Sequence, residues 1–229
     1  MQGKMKAAVL TEVGKIEIRE LDIPQPGPDE ALVRVKAVGL CGSDVHYYEH
    51  GKIGPYVVTG PIILGHEAAG EVVAVGSEVR HLKAGQRVTI EPGATCGRCE
   101  YCKSGRYNLC PDVRFLATPP IDGAFCEYIA IRADLLFPIP DSMSFEKAAL
   151  IEPLSVGLHA VRRGDLKTGE TVVIMGMGPI GMMTLLAAKA AGAGRVIGVD
   201  LEPFRLERAL RIGADGVINP REEDAVEAL

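Results

Sequence analysis

No stretch of about 18 uninterrupted apolar residues occurs in this chain, which excludes a membrane-spanning helix. The closest candidate, 172–188, is interrupted by glycines and reads better as strand, turn and helix. The N-terminus, MQGKMKAAVLTEVGKIEIRE, has no apolar core of the kind a secretory leader needs, so no signal peptide is expected. No basic block stands out either. Lys and Arg number 25 against 30 Asp and Glu, a net charge of −5, which argues against nucleic acid or an anionic membrane as partner. What remains, 47% hydrophobic and 24% charged over 229 residues, is the composition of a soluble globular protein with room for one large or two small domains.

Six cysteines are present, and four fall at 96–110 in the run CGRCEYCKSGRYNLC. With no export signal, such a cluster points to a metal site in a reducing, cytoplasmic setting rather than to a disulfide framework. The spacing C-x2-C-x2-C-x7-C lets Cys96, Cys99, Cys102 and Cys110 close a tetrahedron around one zinc and leave no open position, the mark of a structural site. An iron–sulfur cluster and four unrelated thiols are the alternatives. The sixth cysteine, Cys126, reads as a small buried hydrophobe in an alternating strand.

A second donor set lies in 39–67, GLCGSDVHYYEHGKIGPYVVTGPIILGHE. Cys41, His66 and Glu67 supply sulfur, nitrogen and oxygen, a set suited to a catalytic zinc with one position left open. Ser43 and His46 follow closely and could relay a proton. Core packing for His66 and an outer position for Glu67 are the plain alternatives. The surrounding sequence predicts β structure. Residues 5–37 give three short period-2 strands, 68–79 a strand pair broken by glycine, and 79–93 further turns and strands. Helical spacing first appears in 144–163, starting at Ser144 and interrupted at Pro153, which puts Glu152 at a bend.

From Thr171 the pattern becomes strand, Gly-rich turn, helix, strand, helix, strand. Gly176, Gly178 and Gly181 have G-x-G-x-x-G spacing between an apolar strand and a helix opening at Pro179 and Ile180, and Asp200 ends the next strand. This is the dinucleotide-binding arrangement, with the pyrophosphate on the helix N-terminus and the acid on the adenosine ribose. The charge of Asp200 favours NAD over NADP, and Arg205 weakens that preference. An α/β unit that binds no nucleotide is the alternative.

Taken together, Cys41, the GHE triplet at 65–67, the four-cysteine run and GMGPIG resemble the zinc-containing medium-chain dehydrogenase/reductase family over the whole chain. CGSDVHYYEHG, GRYNLCP, ATPPIDG and ALIEPLSVGLHA are most similar to its polyol branch. The resemblance implies an α/β plus β fold. A GroES-like β-barrel catalytic domain would cover 1–153, with a structural-zinc lobe at 93–112, followed by a Rossmann domain in 154–229. It implies a catalytic zinc on Cys41, His66 and Glu67, with Glu152 as a conditional fourth ligand, direct or through water. Asp44 would orient His66, Ser43 would touch the substrate hydroxyl, and Tyr47, Phe115 and Thr118 would line its pocket. His46 would end a proton relay.

The implied activity is reversible oxidation of a secondary alcohol of a polyol to a ketose, with hydride passing to NAD, in a homo-oligomer, tetramer or dimer. L-threonine 3-dehydrogenase and butanediol dehydrogenase are the neighbouring enzyme readings. Only the first half of the doubly wound nucleotide-binding sheet is present, so the chain reads as a fragment or a truncated product. An inert zinc- and nucleotide-binding module is therefore the rival outside the enzyme class.

Overall fold

Period-2 alternation in KMKAAVLTE and KIEIRELD gives β1 (Lys4–Glu12) and β2 (Lys15–Asp22), paired antiparallel through a tight turn. The chain then runs through β3 (Glu30–Gly39), α1 (Gly42–His50), β4 (Lys52–Ile53), β5 (Tyr56–Val57), β6 (Ile62–Ile63), β7 (Glu67–Val75), β8 (Arg87–Ile90) and β9 (Gly93–Ala94). It continues with α2 (Glu100–Lys103), β10 (Arg114–Phe115), β11 (Tyr128–Arg132), β12 (Leu136–Pro138) and α3 (Phe145–Ala149). The computed structural model describes residues 2–228 and divides into two units between Ile151 and Glu152.

In the first unit a five-stranded antiparallel sheet has the order β11-β3-β7-β8-β12, and a smaller sheet the order β2-β1-β6. Phe125–Glu127 joins the two: Ala8 N–H donates to Phe125 O, Glu127 N–H donates to Lys6 O, and the chain then enters β11. Buried Val33, Val72, Val88, Ile90, Ile131 and Leu136 fill the core behind the large sheet. Aliphatic side chains from alternate positions of neighbouring strands thus supply most of the apolar burial that holds this unit.

Three local expectations change. Residues 67–75 form one strand, β7, not a pair. Gly70 does not break it, because glycine is needed there for space: a methyl group would overlap the Arg34 carbonyl of β3. Residues 42–50 form a helix that apolar periodicity does not announce. The helical segment after Ser144 is interrupted at Leu150, not at Pro153. Ser144 caps α3 by accepting from Lys147 N–H at 3.2 Å, while Pro153 lies in the first turn of the next helix, where the missing N–H costs nothing.

The second unit comprises α4 (Ile151–Arg163), β13 (Thr171–Met175), α5 (Pro179–Ala190), β14 (Arg195–Val199), α6 (Pro203–Arg211) and β15 (Gly216–Ile218). The strands form a parallel sheet in the order β13-β14-β15. Leu185 and Ala188 of α5 pack with Val196 and Leu206 against it. α5 approaches β13 so closely that a methyl group on Gly181 would overlap the Gly176 carbonyl oxygen. Gly181→Ala should therefore cost about 1–3 kcal/mol as backbone is forced apart. Thermal unfolding should report that loss, while zinc content stays unchanged, because both donor clusters lie in the first unit.

Candidate functional site

Two donor clusters stand out in the first unit: Cys96, Cys99, Cys102 and Cys110, and separately Cys41, His66 and Glu67. In each, one ligand atom per residue lies within 4.8 Å of all the others.

The four-cysteine lobe is built locally. Cys99 caps the short α2, and backbone N–H groups donate to sulfur: Cys99 to Cys96, Cys102 to Cys99 and Cys96 to Cys110, each at 3.4 Å. The sulfurs of Cys99 and Cys102 are 3.4 Å apart, those of Cys96 and Cys102 4.0 Å. A tetrahedron with zinc–sulfur bonds of about 2.3 Å has edges of about 3.8 Å, so the spacing fits zinc. All six cysteines are free. N–H donation from Arg98 and Cys99 lowers the Cys96 thiol to about 6. At Cys99, N–H donation from Cys102 is outweighed by burial and the neighbouring Cys102 and Cys96 side chains, which raise that thiol, so Cys96 is the sulfur that favours thiolate.

The second cluster brings together two separate segments. Cys41 is the N-cap of α1, and His66 and Glu67 sit where β7 begins. Asp44, 2% exposed, holds the segments together. Its Oδ2 accepts from Cys41 N–H at 3.0 Å, and its Oδ1 accepts from Gly65 N–H at 2.9 Å. Asp44 thus acts on both ligand-bearing segments through their backbone, including the residue just before His66. The His66 ring meets Phe115 edge to face at 5.4 Å.

Contact with His66 lowers the Cys41 thiol, and Ser43 adds to this from beside it, against the opposing effect of burial. Glu67 is pushed above the usual carboxylate range, first by burial and further by the charge of Asp44, although His66 and Cys41 oppose this. Among the described residues neither Asp44 nor Glu67 has a lysine or arginine partner. A thiol, an imidazole and a buried carboxyl group with no lysine or arginine partner are a donor set that a divalent ion would satisfy. One thiolate and one carboxylate would cancel the charge of Zn²⁺.

The remaining predicted residues are placed as follows. Ser43 is half-buried beside Cys41, and His46 is exposed one helical turn further on, its ring 4.6 Å from His50. Tyr47 is core, packed with Leu10, Ile62, Leu64 and Ala117, and its hydroxyl contacts Thr118. Glu152 lies in the first turn of α4, at the start of the second unit. In that unit Gly176 adopts the left-handed φ that its turn requires, and Gly178, with open space where a side chain would be, caps α5 ahead of Pro179 and exposed Ile180.

A cleft of about 700 Å³ lies beside this turn, lined by Gly176, Asp200, Phe204, Arg205 and Pro220 among others. Asp200 accepts from Met177 N–H at 2.7 Å, Glu202 N–H at 2.9 Å and Arg205 at 3.4 Å. Burial works against its ionisation, but these donors outweigh burial and keep its carboxyl below the ordinary value. Open backbone, a helix N-terminus and a held carboxylate fit a dinucleotide. Sequence reasoning missed Met177: its N–H orients Asp200 and its side chain is buried against Gly198.

Residues 27–141 match the model of the alcohol dehydrogenase GroES-like domain, and residues 179–229 match that of the zinc-binding dehydrogenase. The chain belongs to the zinc-containing medium-chain dehydrogenase/reductase family. Within this family it is 60% identical to sorbitol dehydrogenase of Bacillus subtilis (strain 168), over 98% of the chain and 64% of that relative. Among solved structures, an oxidoreductase/dehydrogenase of unknown specificity from Escherichia coli superposes with a TM-score of 0.94 at 45% identity, covering 99% of this chain and 66% of that one. A zinc-binding dehydrogenase from Sinorhizobium meliloti 1021 bound to NADP gives 0.92 at 40% identity, covering 100% and 65%. The chain thus spans a little under two thirds of the length of these family members.

Two outcomes follow from the site. Asp44→Ala leaves two buried N–H groups unpaired and should cost about 2–4 kcal/mol in chemical unfolding, with loss of one zinc per chain. In metal-free protein near pH 8, iodoacetamide should modify Cys41 and Cys96 well before Cys126. The first two thiols are lowered and carry more thiolate at a given pH, whereas burial pushes Cys126 up to about 12. Peptide mass spectrometry over time gives the order.

Proposed function

We propose that this protein is a zinc-dependent polyol dehydrogenase of the sorbitol type, oxidising a secondary alcohol to a ketose with NAD as hydride acceptor. The convergence of Cys41, His66 and Glu67 beside Ser43 carries the reading. The 60% identity to a sorbitol dehydrogenase supports the substrate class. Zinc held by the three residues would supply a Lewis acid that eases loss of the alcohol proton.

The chain's own groups do the rest. Phe115 covers one side of His66. Asp44 fixes both ligand segments. Ser43, next to the thiol, relays the hydroxyl proton, accepting it as its own hydroxyl proton leaves, and His46, one turn along the same helix and exposed, accepts the released proton and passes it to water. Glu152 keeps the role the resemblance gives it, as direct or water-mediated fourth ligand. Asp200, with its charge fixed by backbone donors, accepts the adenosine ribose hydroxyls and disfavours a 2′-phosphate, so NAD is preferred over NADP. Six free cysteines fit a reducing, cytoplasmic setting, and the family habit is a homo-oligomer.

The test measures zinc per chain together with NADH formation from sorbitol, xylitol, L-threonine and 2,3-butanediol. The expected result is two zincs, turnover with the polyols, and one zinc with no turnover in His66→Ala. Turnover confined to threonine or butanediol would reassign the substrate. Two zincs without turnover on any of the four would leave an inert binding module. Full activity in Cys41→Ser would remove the proposed centre.

A further inference from the structure

β3 ends at Gly39 and β7 begins at Glu67, and the antiparallel register sets these two residues directly opposite each other. The Glu67 side chain lies across the Gly39 backbone. A methyl group at position 39 would overlap Glu67 Oε2 and press on its Cβ and Cδ at 3.1 Å each. Gly39 has no left-handed φ, so backbone conformation does not demand glycine there; the volume above it does.

The question is what would move if that volume were filled. The strand is held by a ladder that continues through Val38–Ala68 and Ala37–Ala69, both alanines of β7 being fully buried. The carboxylate oxygen, by contrast, is the end of a rotatable side chain. The carboxylate gives way, and it is the same group that lies within 4.8 Å of the Cys41 and His66 ligand atoms.

We propose that Gly39 is a positioning residue for the metal centre: its missing side chain is the slot through which Glu67 reaches an ion shared with Cys41 and His66. The inference rests on the reading of Glu67 as a ligand given above. It predicts a substitution that spares the fold and disables the site.

Gly39→Ala should keep the far-ultraviolet circular dichroism of the parent. Its zinc content should fall from two to one per chain after dialysis against a competing chelator, with an affinity loss at this centre of about 10–100-fold. In a Glu67→Ala background the same change should add little, since the carboxylate it displaces is already gone and only the Cβ contact remains.

Gly39→Ala that retains both zincs at parental affinity overturns the proposal, as does a full additional loss in the Glu67→Ala background. Should Gly39→Ala precipitate, the Gly39→Ala/Glu67→Ala pair decides: a folded pair supports the slot, and failure of both overturns it. Glu67→Ala that keeps both zincs at unchanged affinity would remove Glu67 from the ligand set and take the proposed function's centre with it. Loss of one zinc in Glu67→Ala, with none lost in Gly39→Ala, would sink the slot alone.

Discussion

A buried carboxylate, Asp44, is the constraint on which the first unit's chemistry depends. It spends both oxygens on backbone N–H groups, one from the residue that donates sulfur and one from the residue just before the imidazole. Two segments more than 20 residues apart are thereby fixed to one point. Burial is the main cause that holds Glu67 above the usual carboxylate range, and the nearby charge of Asp44 adds to it. A divalent ion shared by Glu67, Cys41 and His66 would offset that burial cost. The centre is therefore organised in advance for a cation, and its geometry comes from hydrogen bonds the ion does not itself make.

The two donor sets solve different problems. In the lobe all four sulfurs fall within fifteen residues, and backbone N–H groups of the lobe itself donate to Cys96, Cys99 and Cys110. Little of the rest of the fold is needed, which is why the spacing alone was readable. The mixed set needs the β3–β7 ladder, the N-terminus of α1 and Asp44 to bring Cys41 to His66 and Glu67. No local pattern contains that information. The three were grouped from their donor types and then from resemblance, while the convergence itself comes from tertiary structure. Cys126 makes the contrast plain: the same thiol, half-buried and donating to the Tyr128 carbonyl, is pushed up to about 12 by desolvation and stands in neither donor cluster.

Elsewhere the misreadings share one cause, which is that glycine and proline were taken as punctuation. Gly70 and Pro153 sit inside regular elements. Gly70 keeps a neighbouring carbonyl at bay, and Pro153 occupies a first helical turn where its ring is tolerated. Helix α1 escaped notice for the opposite reason. Its nine residues bury only Asp44 and Tyr47, so it has no apolar stripe to detect. It is made by its ends, by Asp44 reaching back to the Cys41 N–H and by Gly51 in the left-handed conformation after the last turn. The βαβ unit was read almost residue for residue, because strand, turn glycines, helix and terminal acid are contiguous.

The acid in that unit limits how sharply the protein can choose its cofactor. Asp200 already accepts from Met177, Glu202 and Arg205, so a ribose bound there, as proposed, would have to share oxygens that are in use. The two backbone donors, at 2.7 and 2.9 Å, fix the carboxylate's orientation, whereas Arg205 at 3.4 Å, on a side chain 42% exposed, is the contact free to yield. A displaced Arg205 would still carry its charge close to Asp200. A lone carboxylate there would repel a 2′-phosphate with nothing to offset it, but a guanidinium a few ångströms away attracts the same group. Discrimination between the two cofactors at this position is then a difference between opposing charges, and its size depends on where the Arg205 side chain settles when the cleft is filled.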